Sequence, residues 1–137
     1  MILITGGAWQ GKMDFALKLA EENGIDVSSN HQLAIPVIAS GEEDSFEAAL
    51  ERPVINGLHL YIKRLLAEDR DIETWLLLLK DQNPHVIITT NELGCGIVPI
   101  DPVDRAWREA SGRGAVQIAK WSEGVYRMVC GIPTQIK

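Results

Sequence analysis

Gly6-Gly7-Ala8-Trp9-Gln10-Gly11-Lys12 fits the pattern G-x-x-x-x-G-K, and that spacing has a specific chemistry. Glycines let a loop turn so that several backbone N–H groups point inward, and a helix opening at its end adds a positive pole. Lys12 would reach the outer phosphates of a nucleotide as a point charge. The phosphate-binding candidates are Gly6, Gly7, Ala8, Trp9, Gln10, Gly11, Lys12 and Met13, and Lys12 is also the first catalytic candidate. The competing reading is a chance glycine turn. An apolar run before the loop and an amphipathic one after it supply the strand-to-helix context that the motif requires. The pattern is incomplete, because the residue after the lysine should be Ser or Thr, whose hydroxyl ligates Mg²⁺. Here it is Met13, a soft thioether. Trp9 is bulky for a cradle. It could stack on a base, line a pocket or fill the space of the nucleotide, and the sequence leaves these three open.

Glu92 is the second catalytic candidate. It is an acidic residue in a loop that follows an apolar strand, placed to ligate or orient a metal through water, or to cap a helix. Asn91 reads as shaping that loop through its own backbone hydrogen bonds. Together with Asn56, at the end of another short strand, and His59 beyond it, Asn91 and Glu92 make up a candidate metal or substrate cleft. No one of them marks a certain metal site. Whether His59 faces the site or solvent is open, and a lone histidine is more often structural. His85 begins a predicted strand with no evident partner. Cys95 lies between Gly94 and Gly96, with no base or cation in view to lower its pKa. Cys95 and Cys130 stand 35 positions apart, which matches neither a disulfide scaffold nor a zinc spacing.

The elements that must position these residues alternate. Residues 1–5 read as a buried strand and residues 12–23 as a helix with Phe15, Ala16, Leu19 and Ala20 on one face, stopped by Asn23-Gly24. Residues 34–39 read as a second strand, 45–52 as a short helix capped by Ser45, and 53–56 as a third strand. Leu58, Tyr61, Ile62, Leu65 and Leu66 recur at helical spacing. A further helix starts at Asp71, with Ile72, Trp75, Leu76 and Leu79 inward. Residues 85–90 form a strand and 91–100 a loop. Asp101-Pro102 opens a helix whose face is Val103, Ala106, Trp107 and Ala110, and which Gly112 and Gly114 should bend or interrupt. Residues 125–130 close the core, and 132–137 add an edge. Strands alternating with helices predict an α/β fold, a three-layer arrangement of a mostly parallel sheet with helices on both faces. Such sheets bind ligands beyond the carboxyl ends of their strands. The loops after strands 1–5 and 85–90 both lie there.

The 137 residues predict one domain, residues 1–137. Hydrophobic residues at 46% and charged residues at 23% exclude a disordered or fibrous chain. A net charge of −6 gives no reason to expect nucleic acid or an anionic membrane as partner. The pair Lys63-Arg64 reads as a solvated helix face. The longest apolar run, Trp75 through Leu79, is far short of the ~18 residues of a membrane span. That run could be core or could pack against a second subunit. Met1 to Ile4 has no basic stretch before it, so a cytoplasmic location is expected.

Residues 91–99, Asn-Glu-Leu-Gly-Cys-Gly-Ile-Val-Pro, resemble the pattern Asn-Glu-(Val/Ile)-Gly-x-Gly-Ile-Val-Pro of the bifunctional adenosylcobinamide kinase / adenosylcobinamide-phosphate guanylyltransferase family of cobalamin biosynthesis. That family's opening is similar to Gly-Gly-Ala-x-x-Gly-Lys-Ser, matched by Gly6-Gly7-Ala8 and Gly11-Lys12. The stretch from Arg105 to Lys137 also resembles it, through Glu123-Gly124-Val125-Tyr126 and Cys130-Gly131-Ile132-Pro133. The resemblance implies ATP or GTP with Mg²⁺, a corrinoid substrate (adenosylcobinamide), a RecA-like P-loop sheet and a homo-oligomer. It also implies guanylyl transfer through a histidine in an arginine-rich stretch before the third strand.

The chain departs from that pattern where the chemistry should be. Met13 replaces the loop serine. Asn56 stands where the family has an aspartate, and magnesium prefers carboxylate. Val54 follows Lys12 by only 42 positions, and the His-Arg stretch is missing. His31 is too early and lacks the arginines. Ala115 and Val116 replace what looks like Asn-Gln. Three functions follow. One is a shortened kinase or nucleotide hydrolase with magnesium rebuilt around Glu92. Another is a nucleotide-binding relative without turnover, and the third is an interaction protein whose cleft is closed by Trp9 and Met13. The favoured reading is a P-loop nucleotide-binding protein with guanylyl transfer impaired or lost and kinase activity left open, a possible pseudoenzyme; the alternative is a non-catalytic binding or interaction protein.

Overall fold

Leu3 and Ile4 are both fully buried although successive side chains of a strand point to opposite faces. Their strand therefore lies in the middle of a sheet covered on both sides. The computed structural model describes residues 1–27 and 36–137. Its strands are β1 (Ile2–Gly6), β2 (Ile38–Ser40), β3 (Val54–Asn56), β4 (Ile87–Asn91), β5 (Gly124–Val129) and β6 (Ile132–Gln135). Its helices are α1 (Lys12–Glu22), α2 (Phe46–Glu51), α3 (Leu58–Ala67), α4 (Ile72–Gln82) and α5 (Pro102–Trp121). The order across the sheet is β2-β3-β4-β1-β5-β6. The first five strands run parallel, and β6 returns antiparallel along β5. The predicted α/β, P-loop-like architecture is observed. The second strand starts at Ile38, with Pro36 and Val37 outside it, and Ala34 and His31 lie outside the described residues.

Two cores follow from the alternation. Ile4, Val54, Ile87 and Met128 face α1, whose Ala16 and Ala20 are small enough to let the helix settle onto the strands. Leu3, Ile55, Ile88 and Val125 face the other way. There they meet Leu58, Tyr61, Ile62 and Leu65 of α3, Trp75, Leu76 and Leu79 of α4, and Ile118 of α5. The remaining leucines of the apolar run, Leu77 and Leu78, are exposed. The two expected caps are in place, the Ser45 hydroxyl accepting from Ala48 N–H and the Asp101 carboxylate from Val103 N–H, and the Asp71 carboxylate caps α4 by accepting from Glu73 N–H. No helix of the described residues is long and apolar enough to cross a membrane.

Three expectations are corrected. Gly112 and Gly114 do not interrupt α5, which runs unbroken for 20 residues. A Cβ on Gly114 would stand 2.7 Å from Ile62 Cδ1, so this glycine lets α5 approach α3 closely rather than breaking the helix. Val103 and Ala106 are exposed; the face that packs is Trp107, Ala110, Ser111, Gly114 and Ile118, one turn later. Arg64 is not merely solvated. Its guanidinium donates to the carbonyls of Gly41 and Asp44, pinning the turn before α2, while Lys63 lies over the Trp107 ring.

Candidate functional site

Parallel register brings the ends of four strands to one edge: Gly6 is level with Asn91 and with Met128, and Asn56 is level with Thr89. Gly6 has φ 151°. A Cβ there would lie 2.6 Å from the Met128 carbonyl oxygen, so a side chain is excluded at the point where the loop leaves β1. The loop is then braced from β5 and β6. Gln10 Oε1 accepts from Cys130 N–H at 2.6 Å, and the Gln10 carbonyl accepts from Gly131 N–H at 3.2 Å. Gly11 takes the left-handed conformation before α1, with no side chain to cap the helix. Among the described residues, none of the N–H groups from Ala8 to Asp14 donates to another protein group. That row of free donors at a helix N-terminus is suited to an anion's oxygens.

Lys12 is 9% exposed and its ammonium donates to the Gly7 carbonyl. Burial lowers its pKa, partly opposed by the charge of Glu92. The loop borders a cleft of about 630 Å³ lined also by Met13, Asp14, Asn56, His59, Thr89 and Asn91. Trp9 is 100% exposed, at φ 61°, so it does not plug that cleft. Met13 packs against the α1-side core. Asn56 Oδ1 accepts from the Thr89 hydroxyl at 3.2 Å, and the same hydroxyl accepts from Gly57 N–H at 3.1 Å. His59 faces the cleft. Its Nδ1 accepts from Asn91 N–H at 3.2 Å, and its carbonyl accepts from Trp107 Nε1–H at 2.6 Å. Burial, aided by the nearby Lys12 charge, holds its pKa down at about 4.

Glu92 stands apart. It lines a neighbouring cleft of about 700 Å³ between the end of β4 and α5, where Ala115 and Val116 also lie. Arg127 of β5 binds it with two donors, Nε at 2.9 Å and Nη2 at 3.0 Å. Those bonds, helped by the Cys95 thiol and Lys12, outweigh burial and hold its pKa below the ordinary value. The structure thus brings Lys12, Met13, Asn56, His59 and Asn91 to one cleft and leaves Glu92 beside it. Sequence reasoning missed Arg127, Thr89 and Trp107. Thr89 and Trp107 carry no signal apart from their contacts, and Arg127 alternates inconspicuously within a strand. His85 is exposed before β4, which starts only at Ile87.

The donors do not fit a magnesium ion held by protein. Met13 offers a thioether, the Asn56 amide oxygen already accepts from Thr89, and both Glu92 oxygens accept from Arg127. Among the described residues that line the cleft, Asp14 carries the one carboxylate. No group of three His, Cys, Asp or Glu residues that could hold a metal occurs among the described residues.

The fold and this edge define an α/β protein of the P-loop-like class, with an anion-suited loop beyond the carboxyl ends of a parallel sheet. Residues 42–136 match the model of the cobinamide kinase / cobinamide phosphate guanyltransferase family (CobU), and the chain belongs to that family. It is also 27% identical, over 169 aligned positions, to the bifunctional adenosylcobalamin biosynthesis protein CobP of Pseudomonas aeruginosa. That alignment covers 98% of this chain and 96% of the relative. It is longer than the 137-residue chain itself, so the relative carries internal residues with no counterpart here.

Proposed function

We propose that the chain binds the phosphates of ATP or GTP in the loop from Gly6 to Met13, and that it is a shortened family member from which guanylyl transfer has been lost. The observation that carries this reading is the row of free N–H groups from Ala8 to Asp14 around Lys12, at the mouth of the cleft. The loss is supported by the 42 positions between Lys12 and Val54, too few for the His-Arg stretch that the resemblance implies. The Arg127–Glu92 pair and the amide at Asn56 support impaired magnesium coupling as well. Phosphoryl transfer to a corrinoid such as adenosylcobinamide is accordingly weak or lost in this reading. The exposed apolar residues Ile97, Val98, Ile100 and Val103 support a homo-oligomer.

Calorimetric titration with ATP and GTP, with and without Mg²⁺, tests the proposal. Binding is expected, and Lys12→Ala should weaken it about tenfold or more by removing a charge-assisted contact. An unchanged affinity in that variant would place the nucleotide elsewhere, and no binding at millimolar nucleotide would overturn the reading. Incubation with α-labelled GTP should leave the protein unlabelled; a labelled chain would show guanylyl transfer retained.

A further inference from the structure

His59 is 6% exposed, and its ring is held from two sides. Nδ1 accepts from Asn91 N–H, and the ring lies parallel to that of Trp107, with centroids 6.2 Å apart and planes 19° from parallel. Trp107 also fixes the backbone beneath the ring through His59's own carbonyl. An imidazole nitrogen that accepts a hydrogen bond carries no proton, so the neutral ring bears its proton on Nε2. The Asn91 amide, an obligate donor, thereby assigns the tautomer. Nε2 has no partner among the described residues, yet it is not sealed in the core as Trp75 Nε1 and Ser111 Oγ are. It belongs to the ring that lines the cleft opposite the glycine loop.

We propose that His59 contacts the bound phosphate chain, presenting Nε2–H as a neutral donor to a non-bridging phosphate oxygen while Lys12 supplies the charge. This rests on the reading of the loop as a nucleotide-phosphate site. The same geometry denies His59 the role of replacement guanylyl acceptor. A nitrogen bearing a proton has no in-plane lone pair with which to attack phosphorus. Moving the proton to Nδ1 would set two N–H groups against each other at Asn91 and break the bond that orients the ring. His59 is thus a binding residue of the cleft, not a nucleophile.

Two substitutions separate the two nitrogens. Asparagine can place an acceptor near Nδ1 but has nothing at Nε2, whereas glutamine can place an amide N–H near Nε2. The chain is titrated with GTP and with inorganic tripolyphosphate. His59→Asn should raise Kd for both by about tenfold, and His59→Gln should restore affinity to within about threefold of the original. Equal binding by the original chain and His59→Asn would overturn the proposal, as would equal weakness of both variants when each melts like the original. A structural role alone would not distinguish the two. The tautomer is read independently from two-bond ¹⁵N–¹H correlations of the unsubstituted protein; a proton on Nδ1 would overturn the assignment. Covalent label from α-labelled GTP that disappears in His59→Asn would make His59 a nucleophile and also overturn it. If the original chain binds neither ligand, the reading of the loop itself fails and takes this one with it.

Discussion

At the scale of single residues, burial decides which titratable groups matter. His59 has a folded-state pKa of about 4, against about 6.5 in an unfolded chain. The unfolded state therefore binds a proton first as pH falls. Above pH 6.5 this histidine contributes no pH dependence. Between 6.5 and about 4 stability declines, and below that its contribution is flat. Between pH 7 and pH 5 the loss should be on the order of 2 kcal/mol. Urea unfolding at pH 7 and pH 5 measures it, and His59→Gln should remove that part of the slope. An unchanged slope in the variant would show that another group is responsible. Burial lowers the pKa of Lys12 as well, and the charge of Glu92 opposes part of that shift.

At the scale of elements, α5 shows how one residue type serves two ends. A Cβ on Gly112 would meet nothing within 4 Å, whereas one on Gly114 would press on the buried Ile62. Gly112→Ala should therefore stabilise the protein by about 0.5–1 kcal/mol through lower unfolded-state freedom. Gly114→Val should destabilise it by about 1–3 kcal/mol through overpacking. Thermal unfolding of the pair checks both signs, and the same sign for both would contradict the packing described between α3 and α5. Ser45 and Asp101 were legible as caps because a cap is local, bonding within three residues of itself. Val103 and Ala106 were misread because helical periodicity gives a stripe, not how far along the helix a neighbour covers it.

At the scale of the whole molecule, the impaired magnesium coupling of the proposed reading would draw on groups from three elements. Met13 comes from α1, Asn56 from β3 and Glu92 from the loop after β4. In the native chain, ATP affinity should respond little to Mg²⁺. Met13→Ser combined with Asn56→Asp should create an Mg²⁺-dependent gain of about tenfold, since a hydroxyl and a carboxylate are the donors that the ion prefers. Calorimetry with and without Mg²⁺ reads the gain; an equal response in both proteins would show that these two positions do not govern coupling.

The sequence by itself determined the order of strands and helices, the helix caps and the loop from Gly6 to Lys12, because each is written in residues adjacent along the chain. It also carried the family pattern at residues 91–99. Tertiary structure alone decided what those residues meet. Arg127 reaches Glu92 from 35 positions away, the Asn91 N–H orients the His59 ring, and Trp9 lines the cleft while fully exposed rather than filling it. The reason is physical: hydrophobic period and capping act over a few residues, whereas ion pairs, tautomers and clefts are settled by which strand ends the sheet places side by side.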